Sequence, residues 1–211
     1  MEGRIGVAGH QPSFDAAKYK SAQREQWNKD GAAWRRWSPT LERWYGDLTR
    51  QMLDLAGVGP GQRILDIAAG AGEPAVSAAQ RVGPGGYVLA TDISEGIVEL
   101  ALEVARERGL DQVEARVMDG EKLDLPDASF DAVLCRLGLM YMPHPVTALG
   151  EWRRALKAGG RVAVAVFSTP DRNGWGAVPV PHRIASAREY VRVAREAFGG
   201  FNAMMAHLPP G

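Results

Sequence analysis

The chain has a single cysteine, Cys135, in 211 residues, so no internal disulfide can form and a reducing cytosol is the simplest compartment. Long apolar runs are also missing. The longest uninterrupted stretch, Val162 to Phe167, falls far short of the roughly 18 residues needed to cross a bilayer, which excludes a transmembrane reading at this level. Met1 to His10 has no apolar signal core, and a cytoplasmic location is expected. Net charge is absent because 25 basic side chains offset 25 acidic ones. That balance hides an uneven spread: residues 1–50 carry 9 basic and 6 acidic groups, residues 51–150 carry 7 and 15, and residues 151–211 carry 9 and 4. An acidic centre repels phosphate backbones, which need clustered Lys and Arg, so nucleic acid is not an expected partner. What is present, 45% hydrophobic and 24% charged residues, is ordinary globular usage and calls for one core.

The middle of the chain alternates short β-branched runs with longer helical patterns. Strands are expected at Arg63–Ala68, Tyr87–Asp92, Val113–Met118, Phe130–Cys135 and Arg161–Phe167. Helices are expected at Pro74–Arg81, Ser94–Arg108 and Pro145–Ala158, the last two closed by Gly109 and by Gly159 with Gly160. This order predicts an α/β fold, a doubly wound, mostly parallel Rossmann-like sheet of order 3-2-1-4-5, with its ligand beyond the carboxyl ends of the strands. Residues 15–57 read as helices broken near Gly31 and Pro39. They hold Trp27, Trp34, Trp37 and Trp44, which share one face and serve either as packing on the sheet or as a lid. The expected division is a helical lid over 1–57, a core over 58–168, and a shortened C-terminal region over 169–211.

The first strand runs into a small-residue turn, Ala68-Ala69-Gly70-Ala71-Gly72, where Gly70 and Gly72 remove the Cβ atoms that would hold a ligand off the backbone. Gly70, Gly72 and Ala75 satisfy the loose dinucleotide pattern G-x-G-x-x-A, and Asp92 follows at the spacing that would suit NAD. Asp66 argues otherwise. A carboxylate just ahead of the turn repels a pyrophosphate but welcomes a ligand with an ammonium and a sulfonium, and S-adenosylmethionine has both. An alternative is that Asp66 ties down the turn's own backbone N–H groups. Asp92, ending the second strand, can accept hydrogen bonds from vicinal ribose hydroxyls; Ile93 can pack on an adenine face; and Asp119 with Gly120 can meet the adenine amino group.

Several motifs in order, Leu65-Asp66-Ile67-Ala68-Ala69-Gly70-Ala71-Gly72, Ala90-Thr91-Asp92-Ile93-Ser94, Met118-Asp119-Gly120-Glu121, Phe130-Asp131-Ala132-Val133, Arg136-Leu137-Gly138-Leu139-Met140 and Leu156-Lys157-Ala158-Gly159-Gly160-Arg161, resemble class I S-adenosylmethionine-dependent methyltransferases. The branch is the one similar to ubiquinone and menaquinone biosynthesis methyltransferases, over roughly Val58 to Ser168. The resemblance implies that Asp66 and the Ala68, Ala69, Gly70, Gly72 turn hold the methionine end and Asp92 the ribose. It gives the adenine to Ile93, Met118, Asp119 and Gly120, and the ammonium to the carbonyl of Arg136 or Leu137. S-adenosylhomocysteine would be the product, and no metal ion is called for.

Because a sulfonium methyl is already activated, the protein mostly supplies alignment. Should a base be needed, the loop after the fourth strand offers His144 and Tyr141. Trp34, Trp37, Met140 and Tyr141, with Met142, Phe198, Met204 and Met205 beyond them, suit a small apolar or aromatic acceptor. A noncatalytic donor-binding scaffold and an NAD-dependent oxidoreductase stand as alternatives. The family normally adds two antiparallel strands after the fifth, but only 44 residues follow Phe167 here, an amphipathic segment Ser186–His207 takes much of that length, and Pro170, Pro179 and Pro181 break up the rest. Either an intervening segment is missing, or the sheet is reduced and its fifth-strand edge is covered by that last helix or by a second copy of the chain, a homodimer.

Overall fold

The computed structural model of the chain describes residues 14–167. The expectations for the shortened C-terminal region, including Ser186–His207, Phe198, Met204 and Met205, lie outside the described residues.

Five strands, β1 (Arg63–Ile67), β2 (Tyr87–Asp92), β3 (Val113–Val117), β4 (Phe130–Arg136) and β5 (Leu156–Ala165), form one parallel sheet in the order β3-β2-β1-β4-β5. The strands read as near-continuous apolar runs because both faces are covered. On one face Ile64, Val88, Ala132 and Leu134 pack against Met52 and Leu53 of α1 (Ala16–Leu55) and against Ala75, Ala78, Ala79 and Val82 of α2 (Ala75–Val82). On the other, Leu65, Ile67, Leu89, Val133 and Cys135 meet Ala148, Trp152 and Ala155 of α4 (Pro145–Ala155). Between β2 and β3 runs α3 (Glu95–Glu107), whose N-cap Ser94 accepts a hydrogen bond from the Ile97 amide and whose end is marked by Gly109 at φ +67°. The order reverses between β1 and β4, so the crevice at their carboxyl ends is the place for a ligand.

The structure departs from the sequence expectations at several boundaries. Residues 16–55 form one continuous 40-residue helix rather than a broken set, with Gly31 and Pro39 inside it. A proline there costs roughly 3 kcal/mol and a glycine about 1. Burial of Trp37, Thr40 and Leu41 on either side of Pro39, and of Met52 and Leu53 further on, outweighs both. The helix starts at Asp15, whose carboxylate accepts from the Ala17 and Lys18 amides. β1 stops at Ile67, one residue early, because Ala68 turns into the left-handed region at φ +55°. Similarly α4 ends at Ala155, not Ala158, and β5 begins at Leu156. Gly159, at φ +80°, and Gly160 form an irregularity within the strand rather than a helix cap, and pairing jumps from Phe130↔Leu156 to Ala132↔Arg161.

Trp152, fully buried, donates from its indole nitrogen to the Gly120 carbonyl at 2.9 Å, and so ties α4 to the loop after β3. Trp152→Phe removes that bond and part of the packing. Chemical denaturation should show a loss of about 1–3 kcal/mol; unchanged stability would mean that the bond is not a structural tie.

Candidate functional site

The carboxyl ends of β1, β2 and β4, closed over by α1, enclose a cavity. Its floor is the turn after β1. Gly70, at φ +55°, has open space where a Cβ would stand, so a ligand can approach its backbone. The Asp92 carboxylate braces the turn by accepting from the Gly70 amide at 3.3 Å and from the Ser94 amide at 3.1 Å. Across the cavity Leu137, at φ +63°, is a second non-glycine residue in the left-handed region, and Gly138 sits so close to the Ala68 methyl that no Cβ fits. Two strained positions facing each other at the ends of neighbouring strands mark a functional crevice.

Ala68, Ala69, Gly70, Asp92, Ile93, Met118, Asp119, Gly120, Arg136 and Leu137 all line this cavity, as the sequence anticipated for a nucleotide ligand. Asp66 and Gly72 do not. Asp66 is wholly buried beneath the wall, and neither of its oxygens meets a donor in ordinary hydrogen-bond geometry. Its anticipated alternative task of tying down the turn falls instead to Asp92. Burial pushes the Asp66 carboxyl far above its usual range, with the Arg136 charge pulling the other way. Beside Asp92, Asp119 and Glu42, a further carboxylate that lines the cavity is Glu73, next after Gly72, which the sequence reading passed over. Its Oε2 accepts from Ser77 at 2.7 Å while its Oε1 has no partner, and burial raises it too. The sequence carries a signal for it: a carboxylate directly after a G-x-G turn.

Asp119, expected to accept from an adenine amino group, already has one partner on each oxygen and keeps a further acceptor site on each. Oδ1 accepts from the Glu121 amide at 2.9 Å and Oδ2 pairs with Lys20 at 2.7 Å. Lys20 also pairs with Glu121 at 2.6 Å, and the other Glu121 oxygen accepts from the His144 amide at 2.7 Å. Burial works against the Lys20 charge, yet the two carboxylates hold its pKa above the ordinary value. Further fastenings join α1 to the strand ends: Arg24 Nε donates to the Ile93 carbonyl, Gln23 to the Tyr141 carbonyl, and Asn28 Oδ1 accepts from the Ser94 hydroxyl and the Gly96 amide.

Among the residues anticipated for chemistry or for the acceptor, Trp34, Met140, Tyr141 and Met142 line the cavity, joined by Trp27 and Tyr45. Trp37 does not; it packs with Leu41 in a separate cluster. His144 is exposed at the N-cap of α4 and forms no part of the cavity wall. Burial pushes the Tyr141 phenol well up, so it stays neutral near pH 7. The Cys135 thiol, pushed up to about 12 by burial, is inert packing.

Residues 65–164 match the methyltransferase domain family. Over 116 residues, 54% of this chain and 46% of the relative, the sequence is 43% identical to the ubiquinone/menaquinone biosynthesis C-methyltransferase of Cupriavidus taiwanensis. Among solved structures, a SAM-dependent methyltransferase from Aquifex aeolicus aligns with a TM-score of 0.56 at 26% identity, covering 71% of this chain and 78% of that one. The YcgJ protein of Bacillus subtilis aligns at 0.52 and 31% identity, covering 55% and 48%. The core is similar to the class I S-adenosylmethionine-dependent methyltransferases. Within them it is similar to the ubiquinone/menaquinone branch, although the chain spans about half the length of the curated relatives it matches. Among the described residues, no helix is long and apolar enough to cross a membrane.

The residues present suit S-adenosylmethionine: a backbone cradle open at Gly70, a carboxylate at the end of β2, and buried ionisable groups without partners beside the turn. Burial raises the Asp92 carboxyl to about 6, the Ser94 and Gly70 amides holding it back. Only the ionised form is a full acceptor for two hydroxyls, so donor affinity should be highest above pH 6 and fall as pH drops through that value. Titration calorimetry from pH 5 to 8 checks this, and Asp92→Asn should erase the step; a step that survives in Asp92→Asn belongs to another group, such as Asp66 or Glu73.

Proposed function

We propose that the chain is an enzyme that transfers the methyl group of S-adenosylmethionine to a small aromatic or apolar acceptor, at carbon in a quinol-like ring. The observation that carries the reading is the cavity itself. A brace of Asp92 on the Gly70 turn faces a wall of Trp27, Trp34, Met140, Tyr141 and Met142, so a polar nucleoside end and an apolar end share one enclosure. The curated relatives are named for carbon methylation in quinone biosynthesis, which favours a ring carbon over oxygen or nitrogen.

Bound here, S-adenosylmethionine supplies an electrophilic methyl on sulfur. The chain's own residues position and enclose. Asp92 accepts the ribose hydroxyls, Ile93 and Met118 pack on the adenine, and Glu73 faces the ammonium. The aromatic wall holds the acceptor ring and excludes water, and alignment of this kind is worth several kcal/mol of barrier. Helix α1 acts as the lid: its first half is held on the strand ends by polar contacts of Lys20, Gln23, Arg24 and Asn28, while its last turns are rooted in the apolar core.

The reading is tested by incubating the chain with S-adenosylmethionine and a panel of quinols lacking one ring methyl. Mass spectrometry should find a gain of one methylene in a quinol; binding of the donor with no product from any acceptor would favour a noncatalytic scaffold. Asp92→Ala should weaken donor binding by roughly 1–3 kcal/mol. Lys20→Ala, which unfastens the lid, should speed donor release in stopped-flow displacement with little change in the melting temperature; an unchanged release rate would place the gate elsewhere.

A further inference from the structure

Arg136 closes β4 on the same face of the sheet as Asp66, since Asp66 pairs with Leu134 and Arg136 lies one pleat further along. A guanidinium carries five N–H donors. Among the described residues, this one makes a single side-chain hydrogen bond, from Nη1 to the Thr49 hydroxyl at 2.7 Å, and rests 5.4 Å from the Tyr45 ring centroid. Among the described residues no carboxylate lies within ion-pair distance of it, although it is part-buried, lines the cavity and feels the charges of Glu73, Asp66 and Glu42 from further off. A cation drawn from water without a directly paired anion is costly, and the usual remedy, a fork-to-carboxylate pair, is missing among these residues. Glu73, on the same cavity wall, has the complementary deficit: a buried carboxylate oxygen with no donor. A ligand end that satisfies both at once carries a carboxylate and an ammonium on one carbon.

We propose that the Arg136 guanidinium, aimed by Thr49, binds the carboxylate of the donor's amino-acid end and selects for it, beside Glu73 at the ammonium. The inference rests on the donor reading above and goes beyond it, because the sequence assigned only the backbone carbonyl at this position. The side chain, not the carbonyl, sets the preference.

Calorimetry on the whole chain compares S-adenosylmethionine with decarboxylated S-adenosylmethionine, which keeps the nucleoside, the sulfonium and the amine. The wild-type chain should prefer the carboxylate-bearing compound by about tenfold or more, the scale of a lost charge-assisted fork. Arg136→Gln should bind the two alike within about twofold. Arg136→Lys, a point charge without the fork, should keep a reduced preference, and it serves in place of the Gln variant if circular dichroism shows that one unfolded. No preference in the wild type, or an undiminished preference in either folded variant, overturns the proposal. A wild-type chain that binds neither compound overturns the donor reading itself and this inference with it.

Discussion

Charges removed from water must find partners, and at the carboxyl ends of β1 and β4 this chain leaves its own unmatched. Asp66, Glu73 and Arg136 stand close enough to influence one another, yet none forms an ion pair among the described residues. A core built for stability alone would have replaced such groups or paired them. Their persistence beside a glycine turn and two left-handed residues gives the crevice its character: it is preorganised for a ligand with both signs of charge. The parallel sheet exists, for functional purposes, to hold those strand ends in register.

The lid follows from the same separation of forces. The last turns of α1 are set into the core through Met52 and Leu53, whereas its first turns lie on the strand ends through ion pairs and single hydrogen bonds. Apolar burial resists opening, while part-exposed polar contacts trade with water at small net cost. The proposed lid role of this 40-residue helix requires its polar-held end to release while its apolar end stays in place.

Much of this was legible in the sequence because it is local. The Ala68–Gly72 turn, Asp92 at a strand end and the alternation that sets the strand order all depend on neighbours within a few residues. What escaped was set by packing across the fold. Pro39 argued for a break that burial of Trp37 and Leu41 overrides. The tie of Lys20 to Asp119 joins residues 99 apart, and no local pattern announces it. Four tryptophans on one face could not reveal that Trp34 meets the cavity while Trp37 meets Leu41. Asp66 drew attention as the acid in an apolar strand, but it lies outside the cavity lining, which takes in Glu73 instead. His144 looked chemical because of its loop, whereas its structural part is played by its backbone amide, held by Glu121.

The central claim is that unmatched charges and a glycine cradle at the strand ends together form the seat of one nucleoside donor. A crystal structure of the chain grown with S-adenosylhomocysteine tests it most directly. The account predicts density for the ribose on Asp92, adenine against Ile93 and Met118, and the amino-acid end between Glu73 and Arg136, with α1 closed above. A nucleoside bound elsewhere, or one whose amino-acid end points away from both Glu73 and Arg136, would contradict it.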